Sequence, residues 1–170
     1  SQTDRIMPRL GHREYLDNMG TAGPVHRRLG ESPLHVAYVL DEEASVRFLV
    51  ERDLADLGMT IDQVDALAMK NFRPRLPEKA FRDIMDRSGK ATIISEGDSY
   101  DASRLLLMMD RLGPGEALAV AVPDRDTLVV VPDPGEGAWP ALEKVAAEPR
   151  SSRVILSRPL RVTSMGIEVR

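Results

Sequence analysis

Cysteine is absent from this chain of 170 residues. That excludes disulfides, thiol nucleophiles and thiolate metal sites in one step, and it fits a reducing compartment. Aromatic residues make up only 4% of the chain, with a single Trp, so the core has to come from Leu, Val, Ile, Ala and Met. No apolar run of 18 residues occurs, so no membrane-spanning helix is expected. Ser1 to Leu10 carry no apolar signal-peptide region. A basic excess is also missing. The net charge is −4, whereas non-specific nucleic-acid binding needs a basic surface. These absences together predict a cytoplasmic protein with neither a membrane nor a nucleic-acid partner. Asparagine occurs only at Asn18 and Asn71, and arginine exceeds lysine 19 to 4. The arginines are scattered and form no stripe, so the bias reads as the composition of a GC-rich bacterial genome.

What remains is an ordinary globular composition, 42% hydrophobic and 29% charged. A chain of this length hides roughly 70% of its unfolded surface on folding and needs no metal to hold a core. Gly11, Gly20, Gly23, Pro24, Gly30 and Pro33 interrupt any period in residues 1–33. That segment therefore reads as an irregular N-terminal extension, with a short extended piece near Ile6–Leu10 and a short helix near Glu14–Met19. Residues 34–170 read as a single α+β domain.

Within it, His35–Leu40 and Val46–Val50 read as strands joined by the acidic turn Asp41–Ser45. A helix over Glu51–Leu57 ends at Gly58, a left-handed C-terminal cap. Thr60 and Gln63 form a capping box for a helix that Pro74 stops. Glu78–Ser88 is ambiguous, and Ala91–Ser95 is a short strand. Glu116–Val122 and Thr127–Val131 form a hairpin around Pro123–Asp126. Ala117–Val122 is apolar at every position, as in a strand covered on both faces. A helix over Trp139–Glu148 and short strands at Val154–Leu156, Leu160–Thr163 and Ile167–Val169 complete the order. The class is α+β: a mixed, largely antiparallel sheet of about five to seven strands with helices packed on it.

The densest chemistry is Gly97-Asp98-Ser99-Tyr100-Asp101-Ala102-Ser103-Arg104, which runs into Leu105–Met109. A strand followed by Gly-Asp-Ser resembles the nucleophile block of the SGNH or GDSL-type esterases. That mechanism needs an imidazole, supplied in those enzymes by an Asp-x-x-His near the C-terminus. Here His12, His26 and His35 all precede Ser99, so the nucleophile has no base. The same residues suit a helix start over Ser99 or Tyr100 to Leu112. Asp98 or Ser99 would accept backbone N–H bonds, and Asp101 would sit in the first turn. Asp98, Asp101 and Asp126 are the carboxylates that Mg²⁺ or Ca²⁺ could draw on, but their spacing matches no calcium loop. The three histidines show no ligand spacing and read as surface residues. Gly113-Pro114-Gly115 and Pro134–Gly137 lack the Lys-Ser or Lys-Thr pair of a phosphate loop.

Several segments resemble the uncharacterised YtpQ-like family of bacterial proteins. They are Ala37–Asp41, Val46–Leu49, Ala68–Arg73, Tyr100–Leu105 and Glu116–Asp126, with Tyr-Asp-Ala-Ser before a leucine-rich helix as the best marker. The resemblance implies positions rather than an activity. Asn71, Tyr100, Asp101, Ser103 and Asp126 match its recurrent polar positions. Relatives can carry Gly where this chain has Ser99.

The expected function is a non-enzymatic binding or interaction domain with a protein or small-molecule partner. Its candidate residues are Asn71, Asp98, Tyr100, Asp101, Ser103 and Asp126. No cofactor, no metal site and no catalytic set is assigned, and homo-oligomerisation stays open. The alternatives are a hydrolase or carboxylate-metal enzyme using Asp98, Asp101 and Asp126, and a small acidic inhibitor-like protein for a basic partner.

Overall fold

A computed structural model describes residues 2–42 and 44–170; Ser1 and Glu43 lie outside it, and with Glu43 goes the tip of the acidic turn expected after Leu40. The chain divides into two compact units, Ser1–Leu29 with Pro33–Arg75, and Gly30–Ser32 with Leu76–Arg170. The α+β class holds, with six α-helices among the described residues, but the strands form two antiparallel sheets of four and five instead of one.

The first unit holds β1 (Ile6–His12), α1 (Arg13–Asp17), β2 (His26–Arg28), β3 (Leu34–Glu42), β4 (Ser45–Phe48), α2 (Glu51–Leu57) and α3 (Ile61–Phe72). β3 is the central strand. All seven residues of β1 pair with it along one edge, from Ile6 opposite Leu40 to His12 opposite Leu34. Its other edge is shared: β2 takes His35–Ala37 and β4 takes Val39–Glu42. The extended piece near Ile6–Leu10 and the short helix near Glu14–Met19 are β1 and α1, and β2 makes the described part of residues 1–33 more regular than expected. A short 3₁₀ turn at Gln2–Arg5, β1, α1 and β2 fill most of the described part. The polar β2, His-Arg-Arg, is held by backbone pairing, so no hydrophobic period announces it.

Alternation along β3 fixes what each face carries. Tyr38 and Val36 share one face with Arg27, while His35 and Ala37 share the other with Arg28 and His26. On the Tyr38 side, the Tyr38 hydroxyl donates to Asp65 of α3 at 2.5 Å, and Arg27 bridges Asp62 and Asp65 at 2.9 Å each. Burial first, then the Asp65 carboxylate, pushes the Tyr38 phenol well above its ordinary value. The Thr60–Gln63 capping box forms in both directions, and Gly58 ends α2 in the left-handed region at φ 66°.

The second unit holds α4 (Glu78–Met85), β5 (Thr92–Ile94), α5 (Arg104–Arg111), β6 (Ala117–Asp124), β7 (Thr127–Pro132), α6 (Ala138–Ala147), β8 (Leu160–Thr163) and β9 (Gly166–Val169). Its sheet runs β5-β7-β6-β8-β9. Every residue of β6 and β7 is buried, as the unbroken apolar run requires. α6 covers one face, setting Trp139, Leu142 and Ala146 against Ala119, Ala121, Val129 and Val131. Burying side chains the size of Trp139 and Leu142 stabilises by about 1.5–3 kcal/mol each. The expected strand at Val154–Leu156 reduces to a single bridge between Val154 and Asp124. No helix among the described residues is long and apolar enough to cross a membrane.

Candidate functional site

The motif turn lies between β5 and α5. Gly97 and Ser99 both sit at φ 72°, a left-handed conformation that costs an ordinary residue roughly 1–2 kcal/mol. Two left-handed residues in three turn the chain back on itself, and Asp98 between them reaches forward. Its Oδ1 accepts the Tyr100 N–H at 2.9 Å. Its two oxygens also take the fork of the Arg104 guanidinium at 2.9 and 2.6 Å.

Asp101 converges on the same arginine. Its oxygens accept the Glu96 and Gly97 N–H groups at 2.8 and 3.2 Å, and Arg104 Nη1 at 3.2 Å. Arg104 is thus the hub. Its side chain is only 4% exposed, beside Asp101 at 1% and Asp98 at 24%. Burial alone would pull the guanidinium's pKa down. The Asp98 hydrogen bond and the charges of Asp98, Asp101 and Glu96 outweigh it, so the value lies above the ordinary one.

These contacts correct the expected helix start. α5 begins at Arg104, several residues later than Ser99 or Tyr100, and Asp101–Ser103 form a turn. Asp98 and Asp101 accept from loop amides upstream of α5 and from Arg104, so neither caps that helix. Ser103, at the N-cap position, makes no capping bond with its side chain. The physical reason is the buried arginine: its two carboxylates satisfy a charge that has left water, a stronger demand than a helix cap. Hydrophobic periodicity carries no trace of it.

The fold joins this turn to the β6–β7 turn. The Ala102 N–H donates to the Arg125 carbonyl at 3.1 Å, and the Arg125 N–H donates to the Arg153 carbonyl at 2.9 Å. Asp126 forks with its neighbour Arg125 at 3.0 and 3.2 Å. The fully buried Asp124 was not singled out in the sequence, yet it accepts the Asp126 and Arg150 N–H groups at 2.9 and 2.8 Å. Pro123 and Asp124 belong to β6, which shortens the expected four-residue turn to Arg125-Asp126.

The candidate residues therefore separate. Tyr100, Asp101 and Ser103 are buried to 1% exposure, whereas Asp98 and Asp126 keep part of their surface, 24% and 35% of their side chains. Asn71 belongs to the first unit, where its Nδ2 donates to the Thr3 and Ile6 carbonyls and ties α3 to the start of β1. Among the described residues, no three His, Asp or Glu side chains gather as a metal-binding group, so Asp126 does not join Asp98 and Asp101 in one.

Two histidines read as surface residues prove to be neighbours inside the first unit. His26 Nδ1 and His35 Nδ1 lie 2.8 Å apart, and His26 Nε2 lies 3.3 Å from Asp17. His35 is 9% exposed. Nothing in the sequence hints at this, because it takes the pairing of β2 with β3 to set His26 and His35 on one sheet face. Beside them a cleft of about 580 Å³ is lined by Val25, His26, Glu51, Leu54, Met59 and Ile61, among others.

Fold and site define an α+β protein whose motif acids are engaged in fixing a turn around a buried arginine. No family model matches the chain and no solved structure matches it. It is similar to a UPF0354 protein of Bacillus cytotoxicus, 27% identical over 134 residues, which is 76% of this chain and 49% of that protein. The chain thus spans about half the length of the curated relative it matches.

Proposed function

We propose that this is a non-enzymatic binding module of the bacterial cytoplasm, a YtpQ-like relative of the UPF0354 proteins. Its partner surface is the joined turn that carries Asp98, Arg125 and Asp126. The observation that carries this reading is the occupation of the motif acids. Asp98 and Asp101 are held by Arg104 and backbone amides, which leaves neither as a ready base or metal ligand. The Ala102–Arg125 bond holds the exposed edges of both turns in one fixed arrangement, as a pre-organised recognition surface requires. Distant similarity to the UPF0354 protein supports the bacterial setting.

The test places a photo-crosslinking residue at Asp126 and irradiates growing bacterial cells. A discrete adduct that Arg125→Glu removes is the expected result. A panel of ester, phosphate-ester, peptide and glycoside substrates is run beside it. Turnover that Asp98→Asn abolishes would sink the reading in favour of a hydrolase.

A further inference from the structure

We propose that Asp17, His26 and His35 form a proton-operated latch that keeps the 18–25 loop, and with it one wall of the neighbouring cleft, closed near neutral pH and releases it in acid. The latch spans the two ends of that loop: Asp17 closes α1 and His26 opens β2. Residues 18–22 are exposed, while Pro24 and Val25 turn inward and line the cleft with His26. The far end of the loop is tied by the Val25 N–H to the Leu49 carbonyl at 2.9 Å.

Charge complementarity orders the protons. A carboxylate only accepts, and Asp17 lies 3.3 Å from His26 Nε2, an ion-pair distance that favours a hydrogen on that nitrogen. In the neutral pair His26 Nδ1 is then an acceptor, and His35 Nδ1 donates to it across 2.8 Å. His35 Nε2 is left bare, buried and without a hydrogen-bond partner among the described residues. One added proton can be shared, because an N–H···N bond survives with either ring charged. A second sets two N–H groups against each other at 2.8 Å, and the rings must part. Arg13 and Asp17 come to His35 from α1, and His26 and Arg28 from β2. Arg9 of β1, opposite Ala37, shares the same sheet face. The cations resist the second proton and Asp17 favours it. Burial, foremost, and then His26 hold the His35 value below 6.5, so release falls on the acid side of an ordinary histidine.

The experiment uses the full chain. Nitrogen-15 NMR of the histidine rings at about pH 7.5 should show His26 with hydrogen on Nε2 and His35 with hydrogen on Nδ1. Hydrogen exchange in peptides covering 18–25, corrected for intrinsic rates, should rise at least about tenfold between about pH 7.5 and about pH 5, where histidine charges. In His35→Gln, which cannot charge, that rise should vanish. Reversed tautomers, unchanged protection in acid, or a rise that persists in His35→Gln would each overturn the latch. The tautomer measurement stands on the unaltered chain if the variant folds poorly.

Discussion

Arg104 is a buried charge in the second unit that two carboxylates satisfy. With 4% of its side chain exposed, truncation leaves Asp101 buried beside no cation. Removing one partner of a buried pair costs about 3–5 kcal/mol. Arg104→Ala should therefore lower stability by that amount in urea denaturation, and Arg104→Lys, which keeps the charge but not the fork, should lose less. Ser99 behaves oppositely. At φ 72° it already bears a left-handed penalty, so Ser99→Gly should be neutral or slightly stabilising. Ser99→Val should cost roughly 1–2 kcal/mol or more. A stability loss in Ser99→Gly beyond the unfolded-state entropy of glycine would show that the hydroxyl has a role of its own.

At the scale of elements, legibility followed the source of stability. α3 was readable because its capping box and its Val64, Ala68 and Phe72 stripe are local and periodic. The hairpin of β6 and β7 was readable because both strands are buried throughout. β2 escaped, since His-Arg-Arg owes its place to the edge of β3 and not to apolar spacing. The start of α5 escaped because an ion pair across three to six residues overrode the caps. The division into two sheets could not be read either, because strand order depends on pairings distant in sequence. Of the candidate site, the joined turn was legible as a motif, whereas its hub Arg104 and the buried Asp124 were not. The capping box gives a direct check: Thr60→Ala removes the acceptor of the Gln63 N–H and should cost about 1 kcal/mol, read as a lower Tm.

For the whole molecule, pH should act in two stages. His35 has a folded pKa below its unfolded value. Its stabilisation is complete above about pH 6.5 and is lost as pH falls through that value toward the folded one, because the unfolded chain then binds the proton more tightly. Asp53 is held down by its hydrogen bond from Arg47, and Glu116 by the Gly113 N–H and then Arg82. Their stabilisation persists until pH drops through the ordinary carboxylate range. His35 and Asp53 lie in the first unit and Glu116 in the second. Mild acid should thus weaken amide protection in residues 33–75 before it does so in residues 76–170. Loss in the reverse order, followed by hydrogen exchange, would contradict the assignment.

The pairing of β1 along the whole edge of β3 also has a meaning during synthesis. Ile6 must wait for Leu40, 34 residues later, which at cellular rates of about 5–20 residues per second is about 2–7 s. For that interval the nascent chain carries an apolar strand with nothing to pair with. Chaperones that hold emerging chains should therefore matter most while residues 6–40 are being made. Deleting residues 1–12 would make that exposure permanent on the other partner: β3 would keep a bare edge, and the shortened protein should accumulate as aggregate, measurable as the insoluble fraction after expression.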